Sequence, residues 1–474
     1  MSIYGHALAP GAAIALVLTA WPARADSTDA VSPAHFATPV ATLSLTMTQA
    51  LDYAHAHQPA IQAALARIAE RMEEAKVPSS QWLPTVGATA QLFAMTANST
   101  TATYVQSPFM DIPRVGGTLV KSSGGSLSPS ASTFVGLGLN QEVFDFGRIG
   151  AERAAADALV AVARDHADAE RLDIDFGVEE AFFSISAAKA VVKASDDAYE
   201  RSRVHRDLAK RGVDAGLRSP IELTRAEADL ARFDIGRVRA RGGVAVAQSV
   251  LAAAIGAPDP AVDIAQQPPE PREMPALQEA LALARSRDPL LAGAIAQLKA
   301  EEERTRAIGA ELRPDLSLSA TVSGRAGGAQ PSSGPAADGG GWVPNVPNWD
   351  AGILLSWPLF DGTISAREDA ARSVEQVRQS EIDVMQEKDV AAVRQAYVEV
   401  EVARDALGAL NNAVTAAHAN YDQADARFRA GIGNAVELAD AEALRTDAEI
   451  QLALGQFGLA RARASFGRAV AEGL

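Results

Sequence analysis

The residues that could carry chemistry in this 474-residue chain are few and scattered. Cysteine is absent, which excludes disulfides, zinc–thiolate sites, a thiol nucleophile and a lipid anchor on an N-terminal cysteine. The closest two of its seven histidines, His55 and His57, are two positions apart, so a helix would point them to different faces. The chain has no His-Glu-x-x-His pair, no phosphate loop ending in Gly-Lys-Ser/Thr and no Gly-x-Ser-x-Gly elbow. We therefore expect no enzyme activity, no metal site and no cofactor.

Carboxylates recur instead at two matched turns. Residues 216–223, Gly-Leu-Arg-Ser-Pro-Ile-Glu-Leu, return as residues 431–438, Gly-Ile-Gly-Asn-Ala-Val-Glu-Leu. Glycine just past a helix end is a common helix stop, because it tolerates the left-handed conformation. Ser219 followed by Glu222 predicts a capping box at the start of the next helix, and Asn434 predicts a variant of the same start. Each turn is thus expected to join two helices.

The repeated turns belong to a duplication of the whole chain. A long repeat with a constant order of landmarks indicates a duplicated domain and not a solenoid of short units. We divide the chain into a signal peptide at 1–25, a lead-in at 26–45, a first repeat at 46–257, a proline-rich linker at 258–275 and a second repeat at 276–474. The landmarks Leu51, Pro59 and Pro84 return as Leu281, Pro289 and Pro314.

The first residues indicate export. Residues 11–20 are apolar, and Ala23-Arg24-Ala25 has the form of a small-x-small cleavage site before Asp26. An uncleaved anchor is the alternative, but the apolar run is shorter than the roughly 20 residues that span a bilayer. The formal net charge of −16 argues against nucleic acid, because no basic surface is available to release phosphate counterions.

Two very long helices are predicted. Residues 148–211 and 363–429 lack proline, are rich in alanine and have a helical apolar period. At 1.5 Å per residue each would span on the order of 100 Å. The apolar spacings of three and four suit packing along neighbouring helices, as in a coiled coil. We also predict one helix from Met47 to about residue 77, ended by Pro78, and a counterpart from Leu277.

Each half also has two segments in which apolar and small or polar residues alternate. This pattern is typical of a transmembrane β-strand, and a half-buried strand of a soluble sheet shows it too. Membrane barrels need at least about eight strands, and an open sheet edge does not survive in lipid. Three copies of four strands would give twelve. The Gly/Ser/Pro-rich segments between strands, 94–132 and 325–348, fit outward loops; the strands are centred on 86–92, 135–143, 316–322 and 351–359.

The ordered, duplicated features resemble the TolC family of outer-membrane efflux proteins. The resemblance rests on the turn sequences at 215–223 and 429–438, on Pro84 and Pro314 at strand starts, and on Phe-Asp-Gly at 360–362. It covers nearly the whole chain after the signal. It implies a membrane fold, all-α plus β-barrel, in which duplicated helical hairpins of a homotrimer form a periplasmic tunnel. A 12-stranded barrel, four strands per chain, would cross the outer membrane.

The resemblance implies the exit duct of a tripartite efflux or type I secretion system. Such a duct passively conducts substrates received from a periplasmic adaptor and an inner-membrane pump. Rings of acidic residues line the periplasmic gate in that family, and the matching residues here are Asp440, Glu437 and, in the first half, Glu222. The family pattern places a basic residue where this chain has Gly433, so a closing salt bridge of that kind is not expected.

The resemblance also implies that the turns dock the adaptor, and the predicted docking tips are Gly216, Leu217, Ser219, Gly431, Ile432 and Asn434. A tight turn alone would explain the same residues. The second hypothesis for the whole protein is a periplasmic coiled-coil scaffold or adaptor without a barrel, in which the strand faces would meet water or a protein core. Neither hypothesis identifies the cargo.

Overall fold

A computed structural model describes residues 43–96, 129–258, 261–265, 274–327 and 346–472. Within these ranges the chain forms nine helices and six strands. The predicted signal peptide, most of the lead-in and most of the predicted outward loops lie outside the described residues.

Two long helical hairpins make up most of the described chain. The first joins α4 (Arg148–Asp214) to α5 (Pro220–Ile255), and the second joins α8 (Gly362–Arg429) to α9 (Ala435–Ala469). The helices α4 and α8 have 67 and 68 residues, so each is on the order of 100 Å long. The hairpins contact each other where α4 packs along α9. The predicted pair of long hairpins is confirmed, with helix ends within a few residues of those expected.

Shorter helices precede each hairpin. They are α1 (Met47–His57), α2 (Pro59–Glu74), α3 (Lys76–Ser80), α6 (Leu277–Arg287) and α7 (Pro289–Ala310).

The prediction of a single helix from Met47 to about residue 77 is wrong. The helical segment is broken at Gln58, whose backbone is extended at φ −68° and ψ 120°. Pro59 has no N–H to continue the helix, and its ring disfavours the helical conformation of the preceding residue. Asp288 before Pro289 repeats the break in the second half. Pro78 lies inside the short helix α3 and does not mark a helix end.

A four-stranded antiparallel sheet has the order β2-β3-β5-β6. Its strands are β2 (Thr85–Thr96), β3 (Pro129–Phe144), β5 (Asp315–Gly327) and β6 (Val346–Ser356). The central pair, β3 and β5, joins the two halves of the duplication. A further two-stranded parallel sheet pairs β1 (Leu43–Leu45) with β4 (Val262–Ile264). Neither of these three-residue strands was expected, because segments this short carry no periodicity to detect.

The four-stranded sheet has one apolar face, as predicted. Leu137 lies opposite Val322, which lies opposite Trp349, and these three side chains are 57%, 60% and 78% exposed. The neighbouring row runs through Gly138 and Thr321, which are buried. Side chains of this size exposed in a row need a cover other than water.

The two halves bury corresponding cores. In the first, α1, α4 and α5 pack together; in the second, α6, α8 and α9 do so. Ala50, Val178, Ile185, Leu251 and Ile255 of the first core correspond in the repeat to Ala280, Val393, Val400, Phe466 and Val470 of the second, and all ten are buried. The duplication is therefore a duplication of packing as well as of sequence.

Among the described residues, α5 alone is long and apolar enough to cross a membrane by length and composition, with a mean hydropathy of 1.2 over its most apolar window. The helix packs along α4. It leaves side chains such as Ile235, Val238 and Val246 more than half exposed. We interpret its apolarity as a surface for helix packing, because alanine and valine suit close contact between helices.

Two carboxyl groups meet where α7 begins beside α8. Asp288 caps α7 by accepting a hydrogen bond from the Leu290 backbone N–H at 2.9 Å. Burial, and next the neighbouring Asp288 carboxylate, raise the pKa of Asp389 from 3.8 to about 7. The folded protein therefore holds this proton more tightly than the unfolded chain. The resulting stability is fully present below about pH 4 and is lost as the pH rises through about 7.

We expect Asp389→Asn to raise the apparent thermal unfolding midpoint at pH 8 by about 2 °C, an amount reduced by solvent screening, and to change it little at pH 5. The asparagine mimics the protonated acid, so it removes the repulsion that appears only at high pH. Circular dichroism in detergent at both pH values measures the effect. Asp383→Asn, an exposed position on the same helix, is the control. An equal shift at both pH values would contradict the assignment.

Candidate functional site at the hairpin tips

The two hairpin turns have matched backbones. Gly216 and Gly431 adopt left-handed φ values of 71° and 74°, which explains glycine at both positions. The Leu217 N–H donates to the Gly212 carbonyl at 2.8 Å, and the Ile432 N–H donates to the Arg427 carbonyl at 3.1 Å. Each turn thereby satisfies carbonyls left free at the end of its long helix.

The capping box predicted at Ser219 is wrong. Ser219 begins α5 with an extended backbone, but among the described residues its side chain makes no capping hydrogen bond. Glu222 instead accepts a hydrogen bond from Arg218 Nη1 at 3.0 Å. A guanidinium offers a charge-assisted bond, which is stronger than one from a neutral backbone N–H.

The helix start predicted at the second turn is confirmed in one of its two parts. The Asn434 side-chain oxygen accepts from the Val436 N–H at 2.9 Å, as expected of an N-cap. Glu437 pairs with Arg427 Nη1 at 2.8 Å and does not reach back to the helix start. In both turns the glutamate that was expected to cap the helix start pairs with an arginine instead.

The predicted gate residues occupy different surroundings. Asp440 lies one turn beyond Glu437 on α9, is exposed, and makes no hydrogen bond or ion pair to any residue the structure describes. Glu222 is half-buried. Glu222 and Asp440, which come from different halves of the chain, line the same cavity between the hairpins, whereas Glu437 does not. Asp440 is therefore the gate candidate with an uncompensated charge.

All six predicted docking residues are exposed. Leu217 and Ile432, at corresponding positions of the two turns, are 83% and 75% exposed. The tips thus present two aliphatic side chains on tight turns, each of which contains a left-handed glycine.

Arg218, which sequence reasoning missed, links the two turns. Its guanidinium lies 3.9 Å from the centre of the Phe428 ring, and its Nη2 donates to the Phe428 carbonyl at 3.3 Å. A cation stacked on an aromatic ring is attracted by the ring quadrupole. One difference between the repeats could have pointed to this contact: Arg218 of the first turn corresponds to Gly433 of the second. A Cβ at Gly433 would lie 2.7 Å from the Phe428 backbone nitrogen, so the second turn has no room for a side chain there.

A buried polar network, also missed, ties the hairpins together above the turns. Arg201 of α4 donates to Glu442 of α9 at 2.8 Å, and Glu442 is 2% exposed. Glu449 accepts from Arg445 Nε at 3.0 Å and contacts His418 Nε2 at 2.7 Å. Breaking a buried ion pair by removing one partner is costly, because the remaining charge stays buried. The sequence gave no warning, since the same charges suit a solvated helix face.

Burial shifts the pKa values of three side chains in and beside this network. It raises the pKa of Glu442 even though Arg201 opposes the shift. Burial, and next the Glu442 charge, raise the pKa of Tyr421 to about 12. His205 Nε2 lies 3.0 Å from the Tyr421 hydroxyl, and burial lowers the pKa of His205. Glu442, Tyr421 and His205 thus lie between the helices near the tips and contribute to the packing of the hairpins.

No group of three or more histidine, aspartate or glutamate residues in the described ranges could hold a metal ion. The arrangement instead combines a sheet with an apolar outer face, two rods of about 100 Å and carboxylates at the far tips. These features define a subunit of a membrane-spanning conduit.

The comparisons with known proteins agree. A family model described as outer membrane efflux protein matches residues 50–257 and 280–471, and the chain belongs to this family. It is 26% identical over 411 residues to Protein CyaE of Bordetella pertussis, covering 84% of this chain and 78% of that protein. It is 28% identical over 232 residues to the fusaric acid resistance protein FusA of Burkholderia cepacia, covering 48% of this chain and 42% of that protein.

The fold matches that of solved channels. The open-state MtrE outer membrane channel of Neisseria gonorrhoeae superposes with a TM-score of 0.67 at 20% identity, covering 92% of this chain and 94% of that one. These comparisons confirm the predicted family and the predicted fold class of duplicated helical hairpins with a share of a membrane barrel. They also confirm the function of an outer-membrane efflux channel, which sets aside the scaffold hypothesis.

We expect Arg218→Ala to speed amide hydrogen exchange at the two hairpin turns about tenfold, because it removes a stacked, hydrogen-bonded cation worth roughly 1–2 kcal/mol. Hydrogen–deuterium exchange with mass spectrometry measures the rates. Arg211→Ala, at an exposed arginine in the last turn of α4, is the control. Arg218→Lys should rescue only partly, because lysine keeps the charge and loses the planar stack. Identical exchange rates in all four proteins would show that the contact does not restrain the tips.

Proposed function

We propose that this chain assembles as a homotrimer that forms the exit duct of a tripartite efflux or type I secretion system. In this proposal a periplasmic adaptor and an inner-membrane pump deliver substrate, and the duct conducts it passively, without catalysis or cofactor. The barrel lies in the outer membrane and the helical tunnel in the periplasm, and residues 1–25 act as a cleaved signal peptide. The single observation that carries the trimer is the open four-stranded sheet.

The open sheet supports pooling of strands between copies. Its edge strands, β2 and β6, pair on one side only among the described strands. Each unsatisfied backbone group in lipid costs several kcal/mol, so edges this long need partners. Because all neighbouring strands are antiparallel, β2 and β6 run in opposite directions, and β6 of one copy can continue onto β2 of the next. Such head-to-tail contacts close into a ring, and three copies give twelve strands.

The tips support the proposed partners and gate. The exposed aliphatic side chains of Leu217 and Ile432, one on each tight turn, suit docking of an apolar surface of the adaptor. The proposed docking tips are Gly216, Leu217, Ser219, Gly431, Ile432 and Asn434. Three copies of Asp440, with Glu437 and Glu222 close by, would place like charges around the tunnel axis and favour cations.

The mass of the mature protein tests the assembly. Protein extracted from outer membranes in mild detergent should give three chain masses by light scattering after detergent subtraction, because four strands alone cannot close a barrel. A barrel-deficient variant lacking β2 and β3 serves as the control and should not give membrane-inserted trimers. Release of the native protein as a soluble monomer by osmotic shock would overturn the proposal.

The proposed gate predicts that substitution of its carboxylates lowers the ion selectivity of the channel. Glu437→Ala combined with Asp440→Ala should reduce cation preference, read as a reversal potential moved toward zero across a salt gradient in a planar bilayer. Asp440→Ala alone should account for most of the change, because Arg427 already compensates Glu437. Asp447→Ala, an exposed aspartate two turns further along α9, is the matched control. Unchanged reversal potentials in the double variant would leave these carboxylates as turn-stabilising residues only.

A further inference from the structure

The two halves of the chain pack against each other on one side only. The first-half helix α4 packs along α7 and α9 of the second half. The duplication assigns α8 the corresponding neighbours, α2 and α5 of a first half. Among the described helices, however, the extended contacts of α8 are with α6, α7 and α9 of its own half. Each chain therefore has two open flanks, one on α8 and one on α2 and α5.

Contacts inside each half recur in detail, so the halves can be compared residue by residue. Gln81 Nε2 donates a hydrogen bond to Glu152 at 2.6 Å. The corresponding residues of the second half make the same contact, with Arg367 Nη1 donating to Glu311 at 2.8 Å. The packing of α4 on α9 is therefore a guide to what the open flanks accept.

Two ion pairs set the register of α4 against α9. Glu180 lies 2.7 Å from Arg461 Nε, and Glu442 lies 2.8 Å from Arg201 Nε. The two helices are antiparallel, because α4 runs from the sheet to its turn and α9 runs back from the second turn. The residues midway between the two pairs on each helix therefore lie at about the same height.

Positions near this midpoint are buried on α4 and α9 but exposed on the open flanks. Ala187 of α4 and Ala453 of α9 are 9% and 6% exposed. The residues that correspond to them are Val402 of α8 and Val238 of α5, which are 61% and 62% exposed. Larger apolar side chains thus stand uncovered in a single chain where the equivalent alanines are covered. The register of α4 on α9 would bring these two valines together between α8 and α5 of different copies.

A gap on α5 fits a second valine of α8. Gly242 lies one turn from Val238, and open space surrounds the position where a Cβ would be. In the same register it would lie beside Val398, which is one turn from Val402 and 54% exposed. A side chain that enters a space between residues of a facing helix makes the contact typical of coiled coils.

The ion pairs of α4 and α9 are not repeated on the open flanks. The positions that correspond to their four residues carry Gln395 and Ala416 on α8, and Val246 and Glu227 on α5. Neither ion pair can form with these residues. Val246 is 64% exposed, so an apolar residue stands where the internal contact has a charge.

The strand order leads to the same neighbours. Strand β3 leads into α4 and β5 follows α7, and β3 pairs with β5 where α4 packs on α7. Strand β6 leads into α8, and β2 follows α2 and α3. Pairing of β6 with β2 of the next copy would therefore place α8 beside α2 and α3 of that copy. Val77 of α3 is 61% exposed, whereas the corresponding Ala307 of α7 is 6% exposed.

We propose that copies of this chain recognise each other through a valine seam, formed by Val398 and Val402 of one copy with Val238 and Val246 of the next. Helix α8 of one copy packs antiparallel on α5 of its neighbour, with Val402 at Val238 and Val398 at Gly242. The inference deepens the proposed function and rests on it, because a contact that passes from copy to copy has to close into a ring. It also gives the apolar helix α5 an occupant.

Other occupants fit the flanks less well. Lipid on α5 would also meet Arg237, Arg239 and Arg241, which flank Val238, and charged side chains are costly in hydrocarbon. A different protein would cover one flank and leave the complementary one open. A second copy covers both flanks with the register that the chain already uses internally.

Disulfide trapping tests the register, and the absence of cysteine from the chain makes introduced cysteines its only thiols. Val238→Cys combined with Val402→Cys should give, after oxidation in mild detergent, a covalent trimer on a non-reducing denaturing gel. The control pair is Ala245→Cys with Val402→Cys. It lies one heptad further along α5, a shift of about 10 Å that exceeds the reach of a disulfide. The control should stay monomeric on the gel.

Two results of the trapping experiment would overturn the valine seam. One is equal cross-linking in the matched and the displaced pair. The other is a disulfide confined to one chain, seen as oxidised protein of monomer mass, because it would place both valines within a single copy.

Paired charges test the same contact without oxidation. Val402→Lys alone and Val238→Glu alone should each shorten the lifetime of the trimer in SDS about tenfold, because a charge replaces an apolar side chain at the contact. The two together should recover most of the lifetime, since the opposite charges attract across copies. Ala245→Glu with Val402→Lys is the displaced control and should not recover it. Equal recovery in both combinations would contradict the proposed register.

The proposed function has a separate readout. Light scattering of each reduced cysteine variant in detergent measures the trimer mass before any cross-link forms. A trimer in which Val238→Cys and Val402→Cys do not link copies removes the valine seam and leaves the duct. A protein that is monomeric under these conditions removes the proposed assembly itself.

Discussion

An unpaired strand edge is not tolerated in the hydrocarbon of a membrane, and this constraint shapes the whole chain. Each copy contributes four strands with two edges, β2 and β6, so the apolar face of its sheet can enter lipid only when neighbours complete the pairing. In the proposed trimer the same ring would also cover the helices. Val377, Val398 and Val402 along α8 are more than half exposed in the single chain, and neighbouring copies would supply their lateral partners.

The duplication explains how one chain makes a regular wall. Corresponding residues such as Val178 and Val393 are buried in two similar cores, so both hairpins leave their base with the same packing. The halves are then joined at both ends. The pairing of β3 with β5 joins them at the sheet, and the Arg201–Glu442 pair joins α4 to α9 near the tips. Contacts at both ends keep two such long hairpins aligned with each other along their length.

The features predicted correctly from the sequence are those set by a local, repeated pattern. The proline-free apolar period of α4 and α8 and the alternation around Leu137 are visible in one stretch of sequence. The break at Gln58 was also local, but the apolar pattern continued across it and hid the effect of Pro59. The contact of Arg218 with Phe428 was invisible, because it joins residues 210 positions apart and depends on how the hairpins pack. Its competition for Glu222 also made the capping prediction fail.

The tips diverge where the cores do not, and this difference has a physical reason. In the proposed trimer, three copies of a duplicated chain would place six similar hairpins around one axis, and only alternate hairpins would have the same neighbours. Each core packs helices of its own half of the chain, whereas the tips would meet each other in two different environments. Arg218 stands where the second half has Gly433, and Arg225 stands where it has Asp440. Arg225 and Asp440 line one cavity. Opposite charges at equivalent positions would thus give the two hairpins of each chain different roles at the proposed gate.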